Sequence, residues 1–251
     1  MAKKRGRVLD GVLLLDKPVG LSSNHALQRA KRAMDAQKAG HTGTLDPFAT
    51  GLLVCCMGRA TKISGAMLNA DKSYLATIAF GKETDSGDLT GVVVSEAPSG
   101  FEGVSPDRLN VVLDSFVGTQ LQIPPMISAL KRDGKPLYEY ARQGIVLERE
   151  PREITIRGIE LLGATATTAD IHVHCSKGTY IRTLAQDIGR ALGCFAHLSA
   201  LRRTRLGPFA LDGAVELETL QTMELPESLL IGMNDLPERL VPPAKNVVSL
   251  H

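Results

Sequence analysis

The sequence predicts an α+β fold with a mixed, mainly antiparallel sheet, and three observations lead to this expectation. Short apolar runs and alternating runs typical of strands recur along the chain, with helical periodicities between them at irregular intervals. The rhythm of about 30 residues that marks repeated strand–helix–strand units is not seen. Neighbouring strands follow each other closely instead, as they do in hairpins.

The first part of the chain predicts a basic tail, a strand, a helix and a loop. The tail covers residues 1–10, and the apolar residues 11–16 form a buried strand that Lys17-Pro18 ends. Ser22 or Ser23 can cap the following helix, which carries apolar residues at helical spacing and a basic opposite face. Residues 40–51 hold three glycines and a proline with almost no periodicity, so we expect a loop there.

The middle of the chain predicts a hairpin, a helix and an insertion. Residues 74–80 alternate as a strand does, and a turn-rich connection leads to residues 92–94, which we expect to pair with them. Residues 106–117 predict a helix that Ser105 caps and Gly118 ends. The prolines, charged turn and short helical piece between residues 120 and 152 predict an excursion from the main sheet.

The last part predicts two strands, a helix and a tail. Residues 154–162 and 170–175 alternate as strands do. Residues 180–192 have a helical apolar stripe, with Thr179 as the expected cap and Gly193 as the stop. From residue 225 onward, several prolines and little sustained pattern predict a docked or partly loose tail.

Composition narrows the class of protein. The 251 residues are 43% hydrophobic and 22% charged, which is typical of a folded globular chain with one catalytic domain and a small appendage. The net charge of +2 means that a nucleic-acid partner would meet a local basic face. No run approaches the roughly 20 apolar residues of a membrane span, so we expect a cytoplasmic protein. The four cysteines form no CxxC pair, which favours buried, reduced thiols over zinc ligands.

Two charged residues stand out as candidates for chemistry. Asp46 lies in the Gly-rich loop with His41, but Asp-Pro is a common turn initiator, so spacing alone favours a structural role. Arg182 lies in the first turn of a predicted helix, where the positive end of the helix dipole disfavours a cation. A partner anion could compensate for this, and an exposed surface arginine is the alternative.

Aromatic and basic residues suggest contacts with RNA. Aromatic residues make up only 4% of the chain, so Tyr74 and Tyr180 are candidates for stacking on an unstacked base, with a core role as the alternative. Arg202, Arg203 and Arg205 could contact phosphates, although a solvated face is the commoner use of such clusters. His172 and His174 lack further ligands at metal-binding spacing, and no P-loop, dinucleotide motif or nucleophile elbow occurs.

Six stretches together resemble one known family. In chain order they are GVLLLDKPVGLSSN (11–24), AGHTGTLDPFATGLL (39–53), KSY (72–74), SALK with GKPLYEYARQG (128–144), CSKGTYIRTLAQDIG (175–189) and AHLSALRR (196–203). They are similar, in the same order, to motifs of the bacterial tRNA pseudouridine synthase B family, also called TruB. The resemblance covers most of residues 8–210.

The resemblance implies a pseudouridine synthase fold and the isomerisation of the T-arm loop uridine at position 55 of tRNA. By the family's pattern, Asp46 matches the catalytic aspartate and Arg182 its salt-bridge partner, while Tyr74 matches the tyrosine that stacks on the target base. The positions that match the lining of the uridine site are His41, Tyr74, Tyr180 and Leu201. Arg202 and Arg203 are the expected phosphate contacts.

The resemblance also implies an organisation and a set of partners. A catalytic domain is expected at residues 11–215, with a thumb-like insertion at residues 122–149 that closes over RNA. Residues 216–251 are expected to form a C-terminal helix and tail without a complete PUA domain. We expect a monomer that binds the T-arm stem-loop of tRNA, with no metal, no cofactor and no membrane contact. A catalytically silent tRNA-binding or RNA-folding protein on the same scaffold is the alternative.

Overall fold

The structure, a computed structural model, describes residues 6–237 and residue 240. Within this range the chain divides into two compact units: residues 6–70 with residues from 204 onward form the first unit, and residues 71–203 form the second. The expected limits of the catalytic domain and of the C-terminal region stay predictions. Parts of the predicted basic tail and of the predicted C-terminal tail lie outside the described residues.

The elements confirm the α+β class. The helices are α1 (Ser23–Ala33), α2 (Ser64–Leu68), α3 (Pro106–Ser115), α4 (Leu137–Ala141), α5 (Ile181–Ala191) and α6 (Leu217–Thr222). The strands are β1 (Gly11–Lys17), β2 (Ala39–Thr42), β3 (Thr50–Met57), β4 (Lys72–Phe80), β5 (Lys82–Thr84), β6 (Val93–Glu96), β7 (Gly118–Gln122), β8 (Lys131–Arg132), β9 (Lys135–Pro136), β10 (Arg152–Ala164), β11 (Thr168–Cys175), β12 (Ala196–Leu206), β13 (Phe209–Ala210) and β14 (Val215–Glu216).

In the first unit, β1 pairs antiparallel with β3 and parallel with β14, and β2 pairs antiparallel with β3. Both faces of β1 are buried, which explains its continuous apolar sequence. Leu13 and Leu15 pack in one core cluster with the buried face of α1, whereas Val12 and Leu14 belong to a second cluster. Ser22 caps α1 by accepting a hydrogen bond from the backbone N–H of His25, as one of the two predicted caps.

In the second unit, the strand order is β12-β4-β11-β10-β7, and β4, β11, β10 and β7 pair antiparallel. One face of β4 and β11 is buried and the other is partly exposed, as their alternation predicts. Helix α5 packs against β4 and α3. Its buried stripe, which includes Leu184, Ala185 and Ile188, is the one that the sequence predicts.

The hairpin predicted between residues 74–80 and 92–94 is wrong. Strand β4 pairs with β11, whose residues follow it by almost a hundred positions, and β6 pairs with the short strand β5. Gly81, at a φ of 98°, separates β4 from β5, so the chain leaves one sheet and starts another. The local sequence pattern could not show that β4 pairs with β11 and not with residues 92–94, because this pairing depends on the tertiary fold.

Two further boundaries differ from the sequence prediction. The loop predicted at residues 40–51 is shorter, because β2 extends to Thr42 and β3 begins at Thr50. The cap predicted for α5 is also wrong. Tyr180 is the N-cap residue and makes no side-chain cap, whereas the hydroxyl of Thr179 donates to the carbonyl oxygen of Ser176.

The excursion predicted between residues 120 and 152 is confirmed. Strands β7 and β10 pair where it leaves and re-enters the sheet, with Gln122 opposite Arg152. The segment between them contains the β8–β9 ladder and α4. Its closing over RNA stays a prediction.

The four cysteines are buried and free, as predicted. None of the helices in the described part of the chain has the length and the apolar character that a membrane-spanning helix needs.

Candidate active site

The loop that carries Asp46 is fixed through its backbone. It joins β2 to β3 in the first unit, and Asp46 itself is half-buried. The hydroxyl of Ser23, at the start of α1, donates to the carbonyl oxygen of Leu45 at 2.9 Å and accepts the N–H of Leu45 at 2.7 Å. On the other side, the N–H of Ala49 donates to the carbonyl oxygen of Asp46 at 3.1 Å. The backbone on both sides of Asp46 therefore has defined partners.

The side chain of Lys17 makes further hydrogen bonds near the same loop. Its side chain is fully buried, and its ammonium donates to the carbonyl oxygens of Pro18 and Leu21 at 2.9 and 2.7 Å. A longer contact of 3.4 Å reaches the carbonyl oxygen of Pro47, which also accepts the N–H of Gly20 at 2.8 Å. These hydrogen bonds tie the Lys17-Pro18 motif to the residue directly after Asp46.

His41 belongs to the same unit as Asp46. It lies on β2, opposite Cys55 of β3, and is half-buried. The first unit thus holds the predicted catalytic carboxylate and one of the residues predicted to line the uridine site.

Arg182 is a buried residue of the second unit, so the alternative of an exposed surface arginine is wrong. Its side chain is only 3% exposed. The guanidinium donates from Nη1 to the carbonyl oxygen of Ser86 at 2.6 Å and from Nη2 to that of Ile127 at 2.7 Å. Its Nε lies 3.8 Å from Oδ2 of Asp88. A carboxylate therefore compensates a cation at the start of α5, where the helix dipole disfavours it.

Asp88 is a residue that the sequence analysis did not single out. Its Oδ1 accepts the hydroxyl of Ser86 and the N–H of Thr90, both at 2.9 Å, and also the hydroxyl of Thr90. These donors leave Oδ2 directed at Arg182. The run of Thr, Asp, Ser and Gly at residues 84–90 is typical of a turn in which side chains bind the backbone, and it was the available signal.

The other predicted residues of the second unit lie on three elements. Tyr74 is buried on β4, opposite Val173 of β11. Leu201 is buried on β12. Tyr180 precedes α5, and Gln122 binds its backbone twice: the N–H of Tyr180 donates to Oε1 at 2.8 Å, and Nε2 donates to the Tyr180 carbonyl oxygen at 3.1 Å.

The expected phosphate contact by Arg203 needs correction. Arg203 is fully buried on β12, because the strand alternation places it on the same side as buried Leu201. Arg202 points to the other side and is half-buried. Burial lowers the pKa of the neighbouring Lys72 ammonium, and the positive charge of Arg203 lowers it further.

Of the two histidines on β11, His174 has side-chain partners within the protein. His174 Nδ1 lies 3.0 Å from the hydroxyl of Ser73, and its Nε2 lies 3.8 Å from Oδ2 of Asp71. Over the residues that the structure describes, no group of three or more His, Cys, Asp or Glu side chains is placed to hold a metal ion.

The residues thus fall into two sets. Asp46 and His41 belong to the first unit, whereas Arg182, Tyr74, Tyr180 and Leu201 belong to the second. The pairing of Asp46 with Arg182 that the resemblance implies stays a prediction.

Two family models match consecutive parts of the chain. The model described as "TruB family pseudouridylate synthase (N terminal domain)" matches residues 31–181, and "tRNA pseudouridylate synthase B C-terminal domain" matches residues 182–245. The tRNA pseudouridine synthase B of Bordetella pertussis is 72% identical over 242 residues, which are 96% of this chain and 99% of the relative. The tRNA pseudouridine synthase B of Aromatoleum aromaticum is 56% identical over 227 residues, which are 90% of this chain and 72% of the relative.

Solved structures share the fold. A Cbf5-Nop10-Gar1 complex matches with a TM-score of 0.71 and 30% identity, over 91% of this chain and 61% of the solved chain. An H/ACA RNP bound to a substrate RNA containing 2'-deoxyuridine matches with a TM-score of 0.66 and 26% identity, over 96% and 64%. The chain therefore spans less than two thirds of the length of these solved chains. Because the first family model covers more than half of the chain and the Bordetella relative is matched along nearly its whole length, the chain belongs to the TruB family of pseudouridylate synthases.

Proposed function

We propose that this chain converts the uridine at position 55, in the T-arm loop of tRNA, to pseudouridine. The observation that carries the proposal is the match to the TruB family along almost the entire chain, since the Bordetella pertussis relative, 72% identical to it, is named tRNA pseudouridine synthase B. The alternative of a catalytically silent RNA-binding protein gains no support from these relatives. The position within tRNA rests on the family resemblance.

The reaction needs one well-placed carboxylate and no redox partner. The bond between C1′ of the ribose and N1 of the uracil breaks, the base turns, a bond forms between C1′ and C5, and the C5 proton moves to solvent as N1 takes up a proton. We assign the carboxylate to Asp46. Attack on C1′, attack on C6 of the base and removal of a sugar proton all require an ionised carboxylate, so the assignment does not depend on the route.

The remaining roles concern the extruded base. Taking a base out of its stack costs a few kcal/mol, and stacking on an aromatic ring returns about 1 to 3 kcal/mol. We assign this stacking to Tyr74, and we assign His41, Tyr180 and Leu201 to the lining of the uridine site. Arg182 serves as the cation that orients the catalytic carboxylate.

The charge distribution supports a polyanionic substrate. Residues 1–70 contain eleven lysines and arginines against four acidic residues, although the whole chain has a net charge of only +2. The positive charge is thus concentrated in the N-terminal sequence that contains Asp46, whereas residues 204–251 hold three basic and seven acidic residues. Arg202 remains a proposed phosphate contact, and the segment 122–149 is proposed to close over the RNA. We further propose that the protein acts in the cytoplasm as a monomer and without a cofactor.

The proposal is tested with purified protein and an unmodified tRNA transcript, with pseudouridine mapped to single positions and binding measured separately. We expect conversion at position 55, and no conversion in a transcript that has cytidine there. Asp46→Asn should reduce the single-turnover rate by at least about a thousandfold while binding persists, because the amide keeps the shape but is neither nucleophile nor base. Wild-type protein that binds the transcript and leaves it unmodified would support the silent alternative. Faster conversion of ribosomal RNA fragments would identify a different substrate.

A further inference from the structure

We propose that Glu83, Gln186 and Arg190 are positioning residues that set the orientation of the Arg182 guanidinium. The inference rests on the proposed function, because it takes Arg182 to act in the isomerisation. The residues involved all belong to the second unit, where helix α5 holds the segment that contains Ser86 and Asp88.

The first observation is a row of three donors along α5. Arg182, Gln186 and Arg190 are four residues apart, so they share one face of the helix at steps of about 6 Å. Each donates to residues 83–86: Arg190 binds the Glu83 carboxylate, Gln186 binds the Thr84 carbonyl oxygen at 2.9 Å, and Arg182 binds the Ser86 carbonyl oxygen at 2.6 Å.

The acceptors follow the donors in the opposite chain direction. Residues 85 and 86 form a turn after β5, and the N–H of Gly87 donates to the carbonyl oxygen of Thr84 at 3.1 Å. The carbonyl oxygens of Thr84 and Ser86 are two residues apart and meet Gln186 and Arg182 in turn. The segment therefore runs antiparallel to α5 and is held in a defined register.

The outer end of this row is a two-point ion pair, in which the Arg190 side chain is 50% exposed and also contacts the Asp187 carboxylate at 3.1 Å. Arg190 binds Glu83 with two nitrogens, Nη2 to Oε1 at 2.6 Å and Nε to Oε2 at 2.9 Å, and the Glu83 side chain is only 8% exposed. A two-point guanidinium–carboxylate contact fixes angle as well as distance. The hydrogen bond to Glu83 also raises the pKa of Arg190.

At the inner end of the row, residues 86–88 contain partners of Arg182. Gly87 has a φ of 74°, and a Cβ added there would lie 3.1 Å from the Cβ of Arg182, so the backbone passes directly against the arginine. Asp88 follows, with Oδ1 occupied by Ser86 and Thr90 and Oδ2 directed at Arg182. A shift of the segment would therefore move the Ser86 carbonyl oxygen and the Asp88 carboxylate together. A displacement of about 1 Å in groups that orient reactants can lower a reaction rate by about a hundredfold.

The test compares two glutamates of the same hairpin. Glu83→Gln removes the charge at the outer end of the row and keeps the side-chain shape. Glu96→Gln is the matched control, because Glu96 pairs with Lys82 at 3.2 Å between side chains that are 62% and 56% exposed. We expect Glu83→Gln to lower the single-turnover rate on tRNA about tenfold with a dissociation constant within about twofold of wild type. Glu96→Gln should change neither quantity by more than about twofold.

A double variant distinguishes an effect of Glu83 on the position of Arg182 from an independent effect on the structure. If Glu83 acts through the partners of Arg182, Glu83→Gln combined with Asp88→Asn should be no slower than the slower of the two single variants. Rate losses that multiply would show an independent effect and would overturn the proposal. So would a Glu83→Gln rate equal to wild type.

Two controls keep the outcomes distinct. If Glu83→Gln does not fold, Gln186→Leu and Arg190→Lys test the same row, and full single-turnover activity in both overturns the inference. Wild-type protein without activity would instead contradict the proposed function. An Arg182→Lys variant as fast as wild type would remove the role of Arg182 on which the inference rests.

Discussion

The loop around Asp46 and the surroundings of Arg182 are stabilised in different ways. In the first unit, Ser23 and Lys17 bind the backbone of Leu45 and Pro47, on either side of Asp46. In the second unit, the guanidinium of Arg182 is itself the donor to two backbone carbonyl oxygens from distant parts of the chain. The loop geometry thus has support that does not come from the Asp46 side chain, whereas Arg182 is both a candidate functional group and a structural one.

We therefore expect substitution of Asp46 to affect mainly the reaction, and substitution of Arg182 to affect both the reaction and the stability of the fold. A residue whose neighbours fix the backbone can be replaced by an isosteric one with little structural effect. A buried cation that satisfies backbone carbonyls cannot, because its removal leaves polar groups buried without partners.

The largest expected effect is therefore a contrast in unfolding free energy between Arg182→Lys and Asp46→Asn. Lysine cannot reach both carbonyl oxygens and the Asp88 carboxylate, so we expect Arg182→Lys to destabilise the protein by about 3 kcal/mol. Asp46→Asn should cost less stability than Arg182→Lys, because the amide keeps the side-chain shape and the hydrogen bonds of Ser23 to Leu45 do not depend on it. Urea unfolding followed by circular dichroism measures both. Equal losses in the two variants would abolish the contrast.

A smaller effect is expected from the residue that fixes the Asp46 loop. Ser23→Ala removes the partner of both the N–H and the carbonyl oxygen of Leu45, within a buried environment. We expect a loss of about 2 kcal/mol in stability. We also expect a lower turnover rate on tRNA, because the hydroxyl of Ser23 holds the loop that carries Asp46. Ser22→Ala, which removes only the cap of α1, is the matched control and should lower stability by about 1 kcal/mol with normal turnover. Normal turnover in Ser23→Ala would mean that the loop needs no such support.

The smallest expected effect is a pH dependence of stability that is the same in the two units. Burial raises the pKa of Cys56 in the first unit and of Cys175 in the second to about 11. Because the folded protein favours the neutral thiols, their contribution to stability is complete below pH 9 and is lost as the pH rises from 9 to about 11. At pH 10 we expect each thiol to cost about 1 kcal/mol relative to pH 8. Unfolding of Cys56→Ala and of Cys175→Ala across this range should show equally reduced pH dependence. A change in only one variant would show that the units differ.

The sequence predicted the elements of this fold better than their partners. Strands β1 and β10 and helix α5 follow from apolar periodicity, because burial on one face or on both dictates residue type. The pairing of β4 with β11 could not follow from local pattern, since it joins residues far apart in the chain. The four-residue strand β2 was missed because Gly40 and His41 have little intrinsic preference for a strand.

The residues of the candidate site were likewise only partly predictable from the sequence. Asp46 and Arg182 were singled out from the residues, but a catalytic role was favoured only through the family resemblance. Asp88 was missed because its importance depends on α5 lying beside residues 84–90, which sequence spacing does not reveal. Arg203 was misjudged for a related reason: three arginines close in sequence suggest one surface, whereas strand alternation buries one of them.

The two hydrogen bonds between Gln122 and the backbone of Tyr180 have a consequence for solvent exchange. Gln122 ends β7, the strand from which the insertion departs, and its side chain accepts the Tyr180 amide proton in the way a neighbouring strand would. The protection of that amide against deuterium therefore depends on an ordered base of the insertion. The Tyr180 amide should exchange faster whenever this base opens, so its exchange rate in the presence and absence of tRNA would report on the insertion from a residue outside it.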